Sequence, residues 1–107
     1  MALNPELTKR VRQVLRHLGH IEEKKMFRGI AFMVNGKMCV TVGDNHIMCR
    51  IDPLIHQEVI RRDGVSTVKM KGRDYIGWIN VDESVVPDKK GLTYWVKLAL
   101  EYNDKIR

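Results

Sequence analysis

The sequence predicts a single two-layer α+β domain, with an antiparallel sheet of about five strands and the element order α-β-β-β-α-β-β-α. Three observations carry this. Apolar residues recur with the helical period near both ends of the chain. Between them, short strand-like runs alternate with turn signals. Helices segregated from consecutive strands indicate a layered antiparallel domain rather than a parallel sheet.

The first helix has Asn4 as cap, Pro5 in the first turn and Gly19 as a left-handed stop. Leu7, Val11, Val14, Leu15 and Leu18 form its apolar stripe, and Lys9, Arg12, Gln13 and Arg16 form a basic ridge opposite. Residues 25–34 are strand-like, Asn35-Gly36 is a hairpin turn in which both residues need positive φ, and residues 37–42 return. Asp44-Asn45 turns again into a strand over 46–51. With both turns read as two-residue loops, Val34 pairs with Lys37 and Gly43 with His46. Phe27, Gly29, Ala31, Met33, Met38, Val40, Val42, Ile47, Cys49 and Ile51 then share one apolar face. Gly29 and Ala31 are small on that face, where a helix could pack closely.

The other face is mixed, with an apolar centre at Ile30, Phe32, Val34 and Met48 beside Cys39 and His46. Two readings stay open for it: a protein interface, or cover by the C-terminal helix. Asp52-Pro53 opens a short helix through Arg62 that stops at Gly64. Val65–Met70 and Tyr75–Val81 form a second hairpin around Gly72. Gly77 marks a bulge or a close backbone approach. Asp88 caps the last helix, whose inward stripe is Leu92, Trp95, Val96, Ala99 and Tyr102.

Bulk properties bound the function. The 107 residues suit one domain, and their charged and apolar contents are globular values. The N-terminus has no basic and apolar leader, and no apolar run is long enough to span a bilayer, so a cytoplasmic protein without a membrane partner is expected. Cys39 and Cys49 read as buried free thiols. No nucleophile–base pair, phosphate loop or four-ligand zinc set is recognisable, and His17 and His20 merely flank a glycine. The expectation is a protein that is not an enzyme and uses no metal or cofactor.

The net charge of +6 is concentrated in two places. Lys9, Arg12 and Arg16 lie on the first helix, and Arg61, Arg62, Lys69, Lys71 and Arg73 lie in the second cluster. Such groups could neutralise phosphates with a salt-dependent, sequence-indifferent affinity. They could equally be a solvated face. No aromatic residues interleave with them, and Trp78 and Trp95 read as core.

The run Met26-Phe27-Arg28-Gly29-Ile30-Ala31-Phe32-Met33-Val34-Asn35-Gly36-Lys37-Met38-Cys39 resembles the signature strand pair of the TfoX N-terminal domain family. The resemblance continues through Asp44 to Asp52, Lys71-Gly72-Arg73, Gly77-Trp78-Ile79-Asn80-Val81-Asp82, Leu92, Trp95-Val96 and Ala99-Leu100. It thus spans about residue 7 to residue 102. The family usually has two glycines after Met-Phe, and Arg28 stands in place of the first. The resemblance implies a two-layer fold and a bacterial, cytoplasmic, non-enzymatic module related to the N-terminal domain of TfoX/Sxy regulators of competence-gene transcription. The leading expectation is a protein-binding regulatory module that contacts a transcription component or a second copy of itself, as a homodimer. The alternative is a nucleic-acid-binding accessory domain using the basic clusters.

Overall fold

A computed structural model of the chain describes residues 5–16, 21–26 and 29–106, with Met26 described in its backbone alone. The cap at Asn4, the stop at Gly19, Leu18, His17, His20, Phe27 and Arg28 lie outside the described residues. The elements are α1 (Pro5–Leu15), β1 (Ile21–Met26), β2 (Gly29–Val34), β3 (Lys37–Val42), β4 (His46–Arg50), α2 (His56–Val59), β5 (Val65–Met70), β6 (Arg73–Asp82) and α3 (Lys89–Ile106). Short 3-10 turns at Pro53–Ile55 and Glu83–Val85 precede α2 and α3.

The fold is α+β as expected, but the sheet has six strands, in the order β1-β2-β3-β4-β6-β5. All the pairings are antiparallel. The additional strand is β1, whose Glu22-Glu23-Lys24-Lys25 core gives no apolar alternation to read. It needs none: at the sheet's edge it is held by backbone pairing to β2, and its charges blunt an otherwise open edge.

Local signals predicted the turns well. Asn35 and Gly36 have φ of 54° and 77°, and Lys71 and Gly72 repeat the arrangement at 53° and 76°, so both hairpins turn through left-handed residue pairs. Asp88 caps α3, its carboxylate accepting from the Gly91 N–H at 2.8 Å. The helix after Asp52-Pro53 is shorter than the expected stretch to Arg62, with α2 ending at Val59.

The core lies between one sheet face and the two long helices. Leu7, Val11, Val14 and Leu15 from α1 meet Leu92, Trp95, Val96 and Ala99 from α3, over Phe32, Val40, Val42, Ile47, Cys49, Ile79 and Val81. Tyr102, expected in the inward stripe, is half-buried, and Asn103 is buried instead. Asn103 donates from Nδ2 to the Val34 carbonyl at 2.9 Å, and its Oδ1 accepts from Asn35 Nδ2 at 2.9 Å. The side chain thereby ties α3 to the first hairpin with its amide satisfied, as a buried polar group requires.

The expected face assignment of β2 is corrected. Val34 does pair with Lys37, but the register shifts between Phe32 and Met33, so that Phe32 faces Val40 and Ile30 faces Val42. Cys39 is the extra residue of this bulge. A one-residue slip exchanges a strand's faces. Phe32 and Val34 are therefore buried in the core, and Ile30 packs against it. Cys39 and Cys49, expected on opposite faces, both belong to that core as free thiols. Gly29 is needed for a different approach from the one expected. A Cβ there would collide with the Val42 carbonyl oxygen of the neighbouring strand, not with a helix.

Candidate functional site

The sheet face turned away from α1 and α3 carries a group of apolar residues that neither helix covers. On β4, Ile47 and Cys49 point into the core, so Met48 between them points outward. Met48 is paired with Thr41 on β3 and Asn80 on β6. Around it Met38, Thr41, Lys69, Met70, Tyr75 and Trp78 line a shallow groove of about 880 Å³. Met70 is 44% exposed at one end, and Ile76, also on β6, is 49% exposed.

Two features shape this groove. The first is an irregularity in β6, where Thr67 pairs with Ile79 but the next residue, Val68, pairs with Tyr75. Gly77 sits inside it with φ of 94°. Its N–H donates to His56 Nδ1 at 2.9 Å, and its carbonyl accepts from the Ile51 N–H at 2.7 Å. Because Nδ1 accepts, the Nε2 of a neutral His56 carries the proton and donates to Thr67 Oγ1 at 2.9 Å. His56 is fully buried, and burial holds its pKa below the ordinary 6.5 against a smaller opposing pull from Asp74. A bulge held this way sets the direction of Trp78, the next residue.

The second feature is a cation on the aromatic rim. The Arg50 guanidinium lies 5.2 Å from the Trp78 ring centroid and 5.7 Å from that of Tyr102. Beneath the floor, the Thr41 hydroxyl is buried and finds no hydrogen-bond partner among the described residues. Three methionines and a tryptophan form an adaptable apolar surface.

Of the four residues expected to form a protein interface, Met48 is the one on this open face; Ile30, Phe32 and Val34 are on the core side. Met38 and Trp78, read earlier as a motif residue and as core, are the ones that join it. Among the other motif residues, Gly36 and Gly72 make the turns, Lys37 donates to the Ile106 carbonyl, and Trp95 is core. The parity of β4 identified Met48, and that of β6 could have identified Trp78. The bulge at Cys39, which decides the rest, has no signal in the alternation.

The basic residues do not gather into one surface. Arg12 is committed to Glu23 through two bonds of 2.7 and 2.8 Å. Its guanidinium holds that carboxyl below its usual range. Lys9 on α1 and Arg16 in the turn after it are exposed, and α1 packs on α3 and β3. Arg61 and Arg62 precede β5, and the Arg62 guanidinium rests over Tyr94 and Trp95 at 4.9 and 5.5 Å. Lys69, Lys71 and Arg73 are exposed at the other end of β5, roughly 20 Å from Arg62 at strand spacing. Lys69, 3.9 Å from Asp74, lines the groove.

No helix of the described residues is long and apolar enough to cross a membrane. Comparison with curated proteins finds no significant match. A family model for the TfoX N-terminal domain matches residues 13–102, which takes in the end of α1, every strand and most of α3. With the two glycine turns, the Gly77-Trp78 bulge and the Met38 strand in place across that span, the chain belongs to the TfoX N-terminal domain family.

Proposed function

We propose that this domain is a non-enzymatic, cytoplasmic regulatory module of the kind found in bacterial competence regulators, and that it works by binding another protein through its open sheet face. The observation that carries this reading is the groove around Met38, Met48 and Trp78, an apolar surface on the side of the sheet opposite α1 and α3. Patches of this kind on a folded domain mark contact sites. Family membership supports a role in transcription regulation. The partner class is then a transcription component or a second copy of the domain.

A direct role on nucleic acid draws less support. The basic residues are divided between separate places, Arg12 is already paired, and Arg62 is laid over aromatic rings. The test is site-specific photo-crosslinking in cells, with a benzophenone amino acid in place of Met48 and, as control, in place of exposed Lys97 on α3. Adducts to protein from position 48 and not from position 97 are expected. Equal adducts from both positions, or none from position 48, would overturn the reading. An Ile30 variant is not suited to this purpose, because Ile30 supports the core.

A further inference from the structure

Resting on that reading of the open face, we propose that the groove receives an acidic amphipathic segment of a different protein. Its apolar side chains would lie among Met38, Met48, Met70 and Trp78, and its carboxylates would face Lys69, Lys71 and Arg73. Two observations select this occupant.

The groove floor is apolar and built largely of methionine and aromatic side chains, which accommodate varied apolar anchors without a fixed shape. At about 880 Å³ it has the volume of a ligand-sized cleft. The rim is cationic. Lys69 lines the groove, Lys71 and Arg73 follow Met70 around the hairpin turn, and Arg50 lies on Trp78, with Asp74 the acid opposite Lys69. Charge of this sign steers acidic partners and repels basic ones. A second copy would bring the same rim and the same net charge of +6, so self-association through this face opposes like charges.

Stacking of nucleobases fits less well, because Arg50 occupies a position over the Trp78 ring and methionines line much of the remaining floor.

The experiment uses the whole chain with ¹³C-labelled methionine methyls and three probes. These are a synthetic helical peptide with Leu and Phe on one face and Glu on the other, the same peptide with Lys for each Glu, and an oligothymidylate. The Glu peptide is expected to shift the Met38, Met48 and Met70 methyl signals and to bind more weakly as salt rises. Lys69→Glu with Arg73→Glu, both exposed changes, should weaken it about tenfold or more.

The proposal is overturned if the Lys peptide binds as well, or if the methyl signals shift with protein concentration alone. It is also overturned if oligothymidylate moves them and the Glu peptide does not, or if no probe moves them. A Met48 crosslink to another protein alongside a silent Glu peptide would remove the acidic assignment and leave the protein-contact reading standing. Absence of that crosslink would remove the underlying reading itself.

Discussion

His56 is the residue whose chemistry most constrains the region behind the groove. Both ring nitrogens are committed, one accepting from Gly77 and the other bonded to Thr67. Protonation would put a second N–H against the Gly77 N–H. Burial accordingly lowers the pKa of the folded state, whereas the unfolded chain takes the proton near 6.5. The unfolded state then binds more protons in the window between those two values, so stability is complete above about pH 6.5 and declines as pH falls toward the folded-state pKa. Denaturant titrations across that window should show this slope in the wild type and its reduction in His56→Asn. An unchanged slope would mean that the ring is not neutral and buried as described.

The same residue-scale logic applies to the thiols. Burial pushes the Cys39 thiol up to about 12, and burial with the nearby Cys39 raises Cys49 as well. Since the thiolate is the reactive form, neither should react with a disulfide reagent at about pH 8 until the chain is unfolded. Rapid labelling of the native protein would contradict their place in the core.

Among the elements, α3 is held by three separable devices: its apolar stripe, the Asp88 cap and the Asn103 clamp on the first hairpin. Asp88→Ala removes one capped N–H and should cost about 1 kcal/mol. Asn103→Leu leaves the Val34 carbonyl and the Asn35 amide without their partner. It should cost about 1–3 kcal/mol despite adding apolar area. Thermal or denaturant unfolding of the two variants separates these contributions, and a neutral Asn103→Leu would mean that water serves those groups equally well. The Arg12–Glu23 pair is the contrasting case. It is exposed enough that solvent screens it, and its loss should change stability by less than about 1 kcal/mol.

For the molecule as a whole, the decisive property is that the long helices pack on one side of the sheet. A substitution therefore has very different consequences on the two faces. Met48→Asp, at a half-buried position on the open side, should cost about 1–2 kcal/mol. Phe32→Ala, two strands away on the core side and fully buried, should cost about 3–5 kcal/mol. Equilibrium unfolding of this pair checks the face assignment directly, and a severe Met48 variant beside a mild Phe32 variant would reverse it.

Much of this architecture was legible without coordinates. Asn35-Gly36 and Lys71-Gly72 announce their turns because few residues tolerate positive φ, and both helices show their buried stripes because the 3.6-residue period survives in the apolar positions. Gly77 was legible as a bulge or close approach for the same reason: a glycine within a strand needs a backbone explanation. The family was also written in these residues.

What the sequence alone determined, then, was the set of local conformations and the family they belong to. Tertiary structure decided which side of each strand is inside. Alternation specifies two faces but not their pairing across a hairpin, and one extra residue at Cys39 moved Ile30, Phe32 and Val34 into the core. The edge strand β1 was equally hidden, because its stability comes from hydrogen bonds to β2 rather than from apolar side chains. The groove was hidden for a related reason. Met38, Met48, Met70 and Trp78 come from four strands, and it is sheet order, set by long-range pairing, that brings them onto one surface.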